Sequence, residues 1–291
     1  MDSDHRIDAL LPREIALKAE AIGVQKTRLD FLSLVALAVL AGAFIGLGAM
    51  FATTVLAGAD GVLPFGVSRL LSGVVFCLGL ILVVVGGAEL FTGNNLMVMA
   101  WAAGKVSPRE MLRAWAIVYV GNFIGAVGTA GIVFLSGQYL YGKGSVAGAA
   151  LTIATNKVSL SFEHGLFLGI LCNVLVCLAV WLAYGARTTA DKIMAIVFPV
   201  SAFVVAGFEH SVANMYFIPL GLFIKAWAPA AMWTQIGTTS VNYAALTWAG
   251  LVDNLIPGDA RQHYRRRRAG GPRLLVRLFA QAGAGQVSHG R

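Results

Sequence analysis

Charge is what this sequence has least of. Only 12% of its 291 residues are Asp, Glu, Lys or Arg, where a soluble domain carries about a quarter. Proline is scarce too, at 8, so few positions interrupt a helix. Cysteine is scarcer still. Cys77, Cys172 and Cys177 are an odd count set inside apolar runs, which reads as buried thiols and not as a disulfide or zinc framework. No H-E-x-x-H, histidine pair or cysteine cluster falls within an apolar span. That argues against a membrane-embedded metalloenzyme, and no cofactor or metal is expected.

What is abundant is apolar. Hydrophobic residues make up 58% of the chain and the mean hydropathy is +0.76. Glycine, at 34, suits helices packed closely in lipid. A soluble enzyme, a disordered chain and a nucleic-acid binder are all excluded by this balance. The net charge of +8 is a property of the tail: residues 258–291 hold eight arginines against a single acid, Asp259. No nucleic-acid partner is expected.

Apolar stretches at about 31–57, 69–101, 111–137, 163–186 and 191–226 each suffice to cross a bilayer. Residues 1–30 alternate charged and apolar positions at helical spacing, predicting an amphipathic helix on the cytoplasmic membrane face. Residues 31–257 form the membrane domain. Within it, 243–256 begins a sixth span that Asp253, Asn254 and Pro257 interrupt. Lys and Arg number ten on the N-terminal side (five in 1–30, three in 102–113, two in 187–192). They number four on the other, at Arg69, Lys143, Lys157 and Lys225. The N-terminus should therefore be cytoplasmic.

Two spans carry the same insertion. Gly87-Ala88-Glu89-Leu90-Phe91-Thr92-Gly93-Asn94 interrupts the second, and Gly207-Phe208-Glu209-His210-Ser211-Val212-Ala213-Asn214 the fifth, 120 positions later. An offset of three spans makes the copies cross in opposite directions, as an inverted repeat requires. A glutamate and freed backbone inside a membrane are tolerated only beside a cavity or within packed protein. Two broken helices facing each other near midplane are expected, their half-helix N-termini favouring an anion. Glu89, Asn94, Glu209 and Asn214 are expected to staple neighbouring helices, at a spacing that suits backbone capping. His210, an intramembrane histidine, is the functional candidate.

At these residues the chain resembles the formate/nitrite transporter family. GAELFTGNN at 87–95 and GFEHSVANMYFIP at 207–219 carry the resemblance, with LLPREIALKAEAIGVQK at 10–26, NVLVCLAVWLAYGARTTADK at 173–192 and DNLIP at 253–257. It covers about residues 8–257. It implies an all-α, aquaporin-like bundle of six spans, a homopentamer in the plasma (inner) membrane with one pore per subunit, and passage of formate, nitrite or hydrosulfide. Some members act as channels and some as proton-coupled carriers. His210 matches the family's central pore histidine and Thr92 the threonine of the opposing broken helix. Lys157 and Asn173 match polar residues at the outward mouth, Leu80 and Phe91 the inner constriction, and Phe76 and Phe203 the outer one. The context FEHSVANMYFIP favours the formate subgroup. Without the resemblance, Phe76, Phe91 and Phe203 read as lipid-facing or core aromatics, Lys157 as a loop lysine, Asn173 as an interhelical bond and Thr92 as a backbone bonder. A water or glycerol pore of the aquaporin class is the rival, but its paired Asn-Pro-Ala insertions are absent.

The resemblance implies an apolar, glycine-rich sixth helix after Pro257. The tail has repeated arginines instead, each costing about 2.5 kcal/mol or more at mid-bilayer. With suitable synonymous codons, a one-base frame shift at codon 258 turns this stretch into a glycine-rich apolar span ending in arginine. Two readings stand: a lost or frame-shifted sixth helix, and a genuine basic tail binding anionic lipid.

Overall fold

The computed structural model describes residues 8–255; the expectations for the tail at 258–291 lie outside them. The described chain is helical. Helix α1 (Pro12–Thr27) leads into α2 (Phe31–Leu56) and α3 (Phe65–Gly86). A break follows, then the short helices α4 (Phe91–Asn94) and α5 (Met97–Ala102), and then α6 (Pro108–Leu135). The second half runs α7 (Ser145–Ser159), α8 (Phe162–Gly185), α9 (Thr189–Val205), a break, and α10 (Ser211–Trp227). Helices α11 (Ala230–Gln235) and α12 (Trp248–Leu255) close it.

Helices α2, α3, α6 and α8 are long and apolar enough to cross a membrane. Helices α9 and α10, 17 residues each, together account for the fifth apolar stretch. Side-chain caps define several starts. Asp30 accepts from Ser33 N–H at α2, and Ser161 from His164 N–H at α8. Ser107 and Glu110 form a capping box at α6, as Thr188 and Asp191 do at α9. Helix α2 packs against both α3 and α6, and α10 against α6 and α7. The α2–α6 approach needs glycine: a Cβ on Gly125 would lie 1.9 Å from the Val39 carbonyl oxygen.

Three expectations change. Residues 145–159, expected within a loop, form α7, whose Ala147, Ala150, Leu151 and Ala154 are buried. Its alanine, glycine and threonine content is too mild to register as a span, yet small side chains are what lets it pack tightly on α10. Helix α1 turns its stripe of Ile15, Ala19, Gly23 and Thr27 to protein, packing on α5 and α8. A membrane-surface helix would leave that stripe to lipid. The described part of the stretch 243–256, up to Leu255, is not one continuous helix. A 3-10 turn at Ser240–Tyr243 and the eight-residue α12 are separated by irregular chain, held to α10 by Lys225 Nζ donating to the Tyr243 and Leu246 carbonyls.

The two halves repeat at the level of single bonds. An offset of 131 positions relates Lys26 to Lys157, Asp30 to Ser161 and Leu37 to Leu168. Glu89 N–H donates to the Leu37 carbonyl and Glu209 N–H to the Leu168 carbonyl. So α1 corresponds to α7, α2 to α8 and α3 to α9. Helix α6 has no such partner among the described residues, where the principal neighbours of α8 are α9, α1 and α4.

Candidate functional site: two helix breaks meeting at Thr92 and His210

Each break begins at a glycine with positive φ, Gly87 at 76° and Gly207 at 73°. A side chain there would be strained, so glycine ends α3 and α9 where it stands. The backbone freed beyond it is satisfied differently in the two halves. In the first, the buried Asn122 of α6 accepts from Phe91 N–H at 2.9 Å. Its amide donates to the Ala38 and Glu89 carbonyls at 2.7 and 2.9 Å. In the second, His210 is itself the N-cap of α10, its Nδ1 accepting from Ala213 N–H at 3.0 Å.

The two breaks touch through one bond: Thr92 Oγ1 lies 3.1 Å from His210 Nε2, both residues being buried. Because Nδ1 accepts a backbone N–H, the proton of a neutral imidazole sits on Nε2. His210 therefore presents a donor toward Thr92. Its ring is held in place by Phe203, stacked at 5.8 Å, and by Phe76 edge-on at 6.4 Å, while those two phenyl rings meet at 5.7 Å.

Glu89 and Glu209 bond to side chains, where backbone capping was expected. Lys26 Nζ donates to both Glu89 oxygens and to Asn94 Oδ1, each at 2.8 Å, and Asn94 Nδ2 donates to Glu89 at 2.8 Å. Lys157 Nζ donates to Glu209, and Asn214 Nδ2 donates to Glu209 at 2.8 Å. A buried carboxylate needs a counter-charge, and a lysine from α1 or α7 supplies it. Asn254 of α12 joins the second group, accepting from Asn214 and donating to the Lys157 carbonyl. Lys157 is thus an ion-paired helix residue and not a solvated loop lysine.

Two chambers flank the meeting point. One, of about 270 Å³, is walled by Lys26, Glu89, Leu90, Asn94, Leu80 and Tyr184 among others. The other, of about 60 Å³, includes Lys157, Phe76, Phe203, His210 and Arg69 in its wall. Leu80 lines the first chamber, and Phe76 and Phe203 the second. Phe91 turns its ring to Tyr119 and Trp115 of α6, at 4.9 and 6.2 Å. Asn173 of α8 is half-buried. Its amide reaches Cys177 Sγ, and that thiol reaches the Thr92 carbonyl at 3.7 Å. All three cysteines are free, Cys177 being only partly buried.

Asn122, Asn254 and Arg69 were missed as site residues. Asn122 carried a signal, a polar residue between Gly121 and Gly125 inside an apolar span. The other two looked like a span terminator and a loop charge.

A described chain that is helical, with two matched helix breaks joined between two chambers, has the architecture of a pore for small solutes. Comparison with known proteins makes this specific. The formate/nitrite transporter profile matches residues 13–258, and the chain belongs to that family. It is 42% identical to the formate channel FocA of Escherichia coli over 258 residues, 88% of this chain and 90% of the relative. It is 38% identical to that of Haemophilus influenzae over 86% and 88%. A solved pentameric formate channel with formate bound superposes with a TM-score of 0.75 at 40% identity, covering 78% of this chain and 89% of that one.

Proposed function

We propose that this protein conducts small monovalent anions, formate first among them, across the inner membrane, as a homopentamer with one pore in each subunit. The observation that carries the reading is the Thr92–His210 bond, which joins the two helix breaks between two cation-bearing chambers. The formate channels among its relatives support the choice of anion. The charge asymmetry of the loops supports a cytoplasmic N-terminus, so that the Lys26 chamber faces inward and the Lys157 chamber outward.

A naked carboxylate loses several kcal/mol of hydration between phenyl and leucyl rings. Donors placed where the two breaks meet offset that loss. Formate entering the junction displaces the Thr92–His210 bond and accepts from His210 Nε2–H and Thr92 Oγ1–H. Handing over the Nε2 proton would require Nδ1 to be protonated first. That in turn would free Ala213 N–H and uncap α10, a loss of about 1 kcal/mol. His210 thus acts as a neutral hydrogen-bond donor, and the protein as a channel and not a proton-coupled carrier. Stopped-flow uptake by vesicles checks this, with formate, nitrite, hydrosulfide, water and glycerol compared. Formate should lead, without stoichiometric proton entry. Faster glycerol or water conduction, or formate flux locked to protons, would sink the reading.

A further inference from the structure

The two chambers differ in charge balance. In the first, Lys26 faces Glu89, one cation against one carboxylate. In the second, Lys157 faces Glu209 in the same way, but Arg69 of α3 also enters the wall. Among the described residues no carboxylate forms an ion pair with Arg69. Among the described residues, two cations and the one carboxylate paired with Lys157 leave that chamber with a net single positive charge. The guanidinium is fixed there: one Nη donates to the Val204 carbonyl at the end of α9, while its Nε–H is enclosed and has no partner. Arg69 so stands on the same wall as Ser72, Phe76, Phe203 and His210 with donors to spare. Among the described residues, none at the first chamber plays the equivalent part.

We propose that Arg69 is an anion-gathering residue of the Lys157 chamber, whose uncompensated charge makes the protein bind its anion more tightly from that face than from the Lys26 face. This rests on the anion-channel reading above. The physics is long-range attraction within a low-dielectric funnel, which raises local anion concentration without altering the donors at the junction. It lowers half-saturation and the maximal rate from that face in proportion, because a passive pore has the same low-concentration permeability from both sides. It also weakens with salt, because part of the path to the charge is solvated.

The experiment measures initial uptake of formate, nitrite and hydrosulfide by right-side-out and inside-out membrane vesicles. These carry the full chain, both as written and with one base removed at codon 258. One vesicle orientation should show a lower half-saturation concentration than the other. Arg69→Gln, which can still donate to the Val204 carbonyl, should raise that lower value by about fivefold, raise the maximal rate from that face in proportion, and leave the opposite face unchanged. Arg69→Lys should keep the wild-type asymmetry. Equal half-saturation on both faces of the wild type, or a shift of both faces together in Arg69→Gln, overturns the proposal. So does loss of the asymmetry in Arg69→Lys, because Arg69 would then be only a cap for α9. Should Arg69→Gln fail to assemble, the wild type decides: half-saturation must climb with ionic strength on one face only, and equal salt dependence on both refutes the idea. If nitrite or hydrosulfide crosses and formate does not, the choice of substrate fails while the asymmetry of the transported anion still tests Arg69. If no anion crosses, both fail.

Discussion

The first and second halves of the chain solve the same problem with different parts. Both break a helix at a left-handed glycine and bury a Lys–Glu–Asn group beside the break. The first half borrows its backbone cap from Asn122 on another helix. The second caps itself with His210. That difference sets the chemistry. A borrowed cap leaves Thr92 a hydroxyl free to rotate, whereas a self-supplied cap fixes the tautomer and orientation of His210. The donor facing the junction is thus a by-product of how α10 begins.

The largest effect should come from where the halves fail to match. Helix α6 covers α2, but among the described residues α8 lacks the corresponding cover. The most apolar window of α8 is 28% buried against 44% for α2. Removing one base at codon 258 should restore an apolar glycine-rich helix there, giving a pentamer by size-exclusion chromatography and strong formate flux where the written chain has little. An active pentamer from the written chain would show that the halves need not match.

Next come the buried ion pairs. Glu209→Gln or Glu89→Gln leaves a lysine without its counter-charge, which should lower stability by about 3 kcal/mol in thermal unfolding. The double variant Lys26→Met/Glu89→Gln should recover most of this. A double variant no better than the single would mean that the lysine contributes nothing but packing.

The contrast between capping and donation can be separated at one residue. His210→Phe removes both and should reduce formate flux by about 100-fold, with stability falling by about 1 kcal/mol. His210→Asn keeps an N-cap acceptor for Ala213 N–H but falls short of Thr92, so stability should hold while flux is lost. If His210→Asn transports normally, the imidazole matters only as a cap. Thr92→Val should have the smallest effect, about tenfold in flux with little change in stability, because one neutral donor is removed and shape is kept. Flux equal to wild type would return Thr92 to a backbone role.

The spans and the two breaks were legible in the sequence, because bilayer thickness demands long apolar runs and a Gly-x-Glu insertion contradicts them wherever it stands. Thr92 and His210 followed, since only paired insertions lift such residues above ordinary core polar groups. Helix α7 was not legible. Its 15 residues of mostly alanine, glycine and threonine carry neither a span's hydropathy nor a surface helix's charge, and its identity rests on packing against α10.

The sequence by itself determined the membrane class, the five apolar crossings and the positions at which two of them must break, since each follows from local hydropathy and from glycine's backbone freedom. Only the tertiary structure decided which groups answer one another. Lys157 and Glu209 are 52 positions apart, Asn122 serves a break 31 positions earlier, and Thr92 meets His210 across 118. Nothing local marks such partners. Buried charge and freed backbone must be satisfied inside the protein, and any polar side chain that the packing brings within reach can do it.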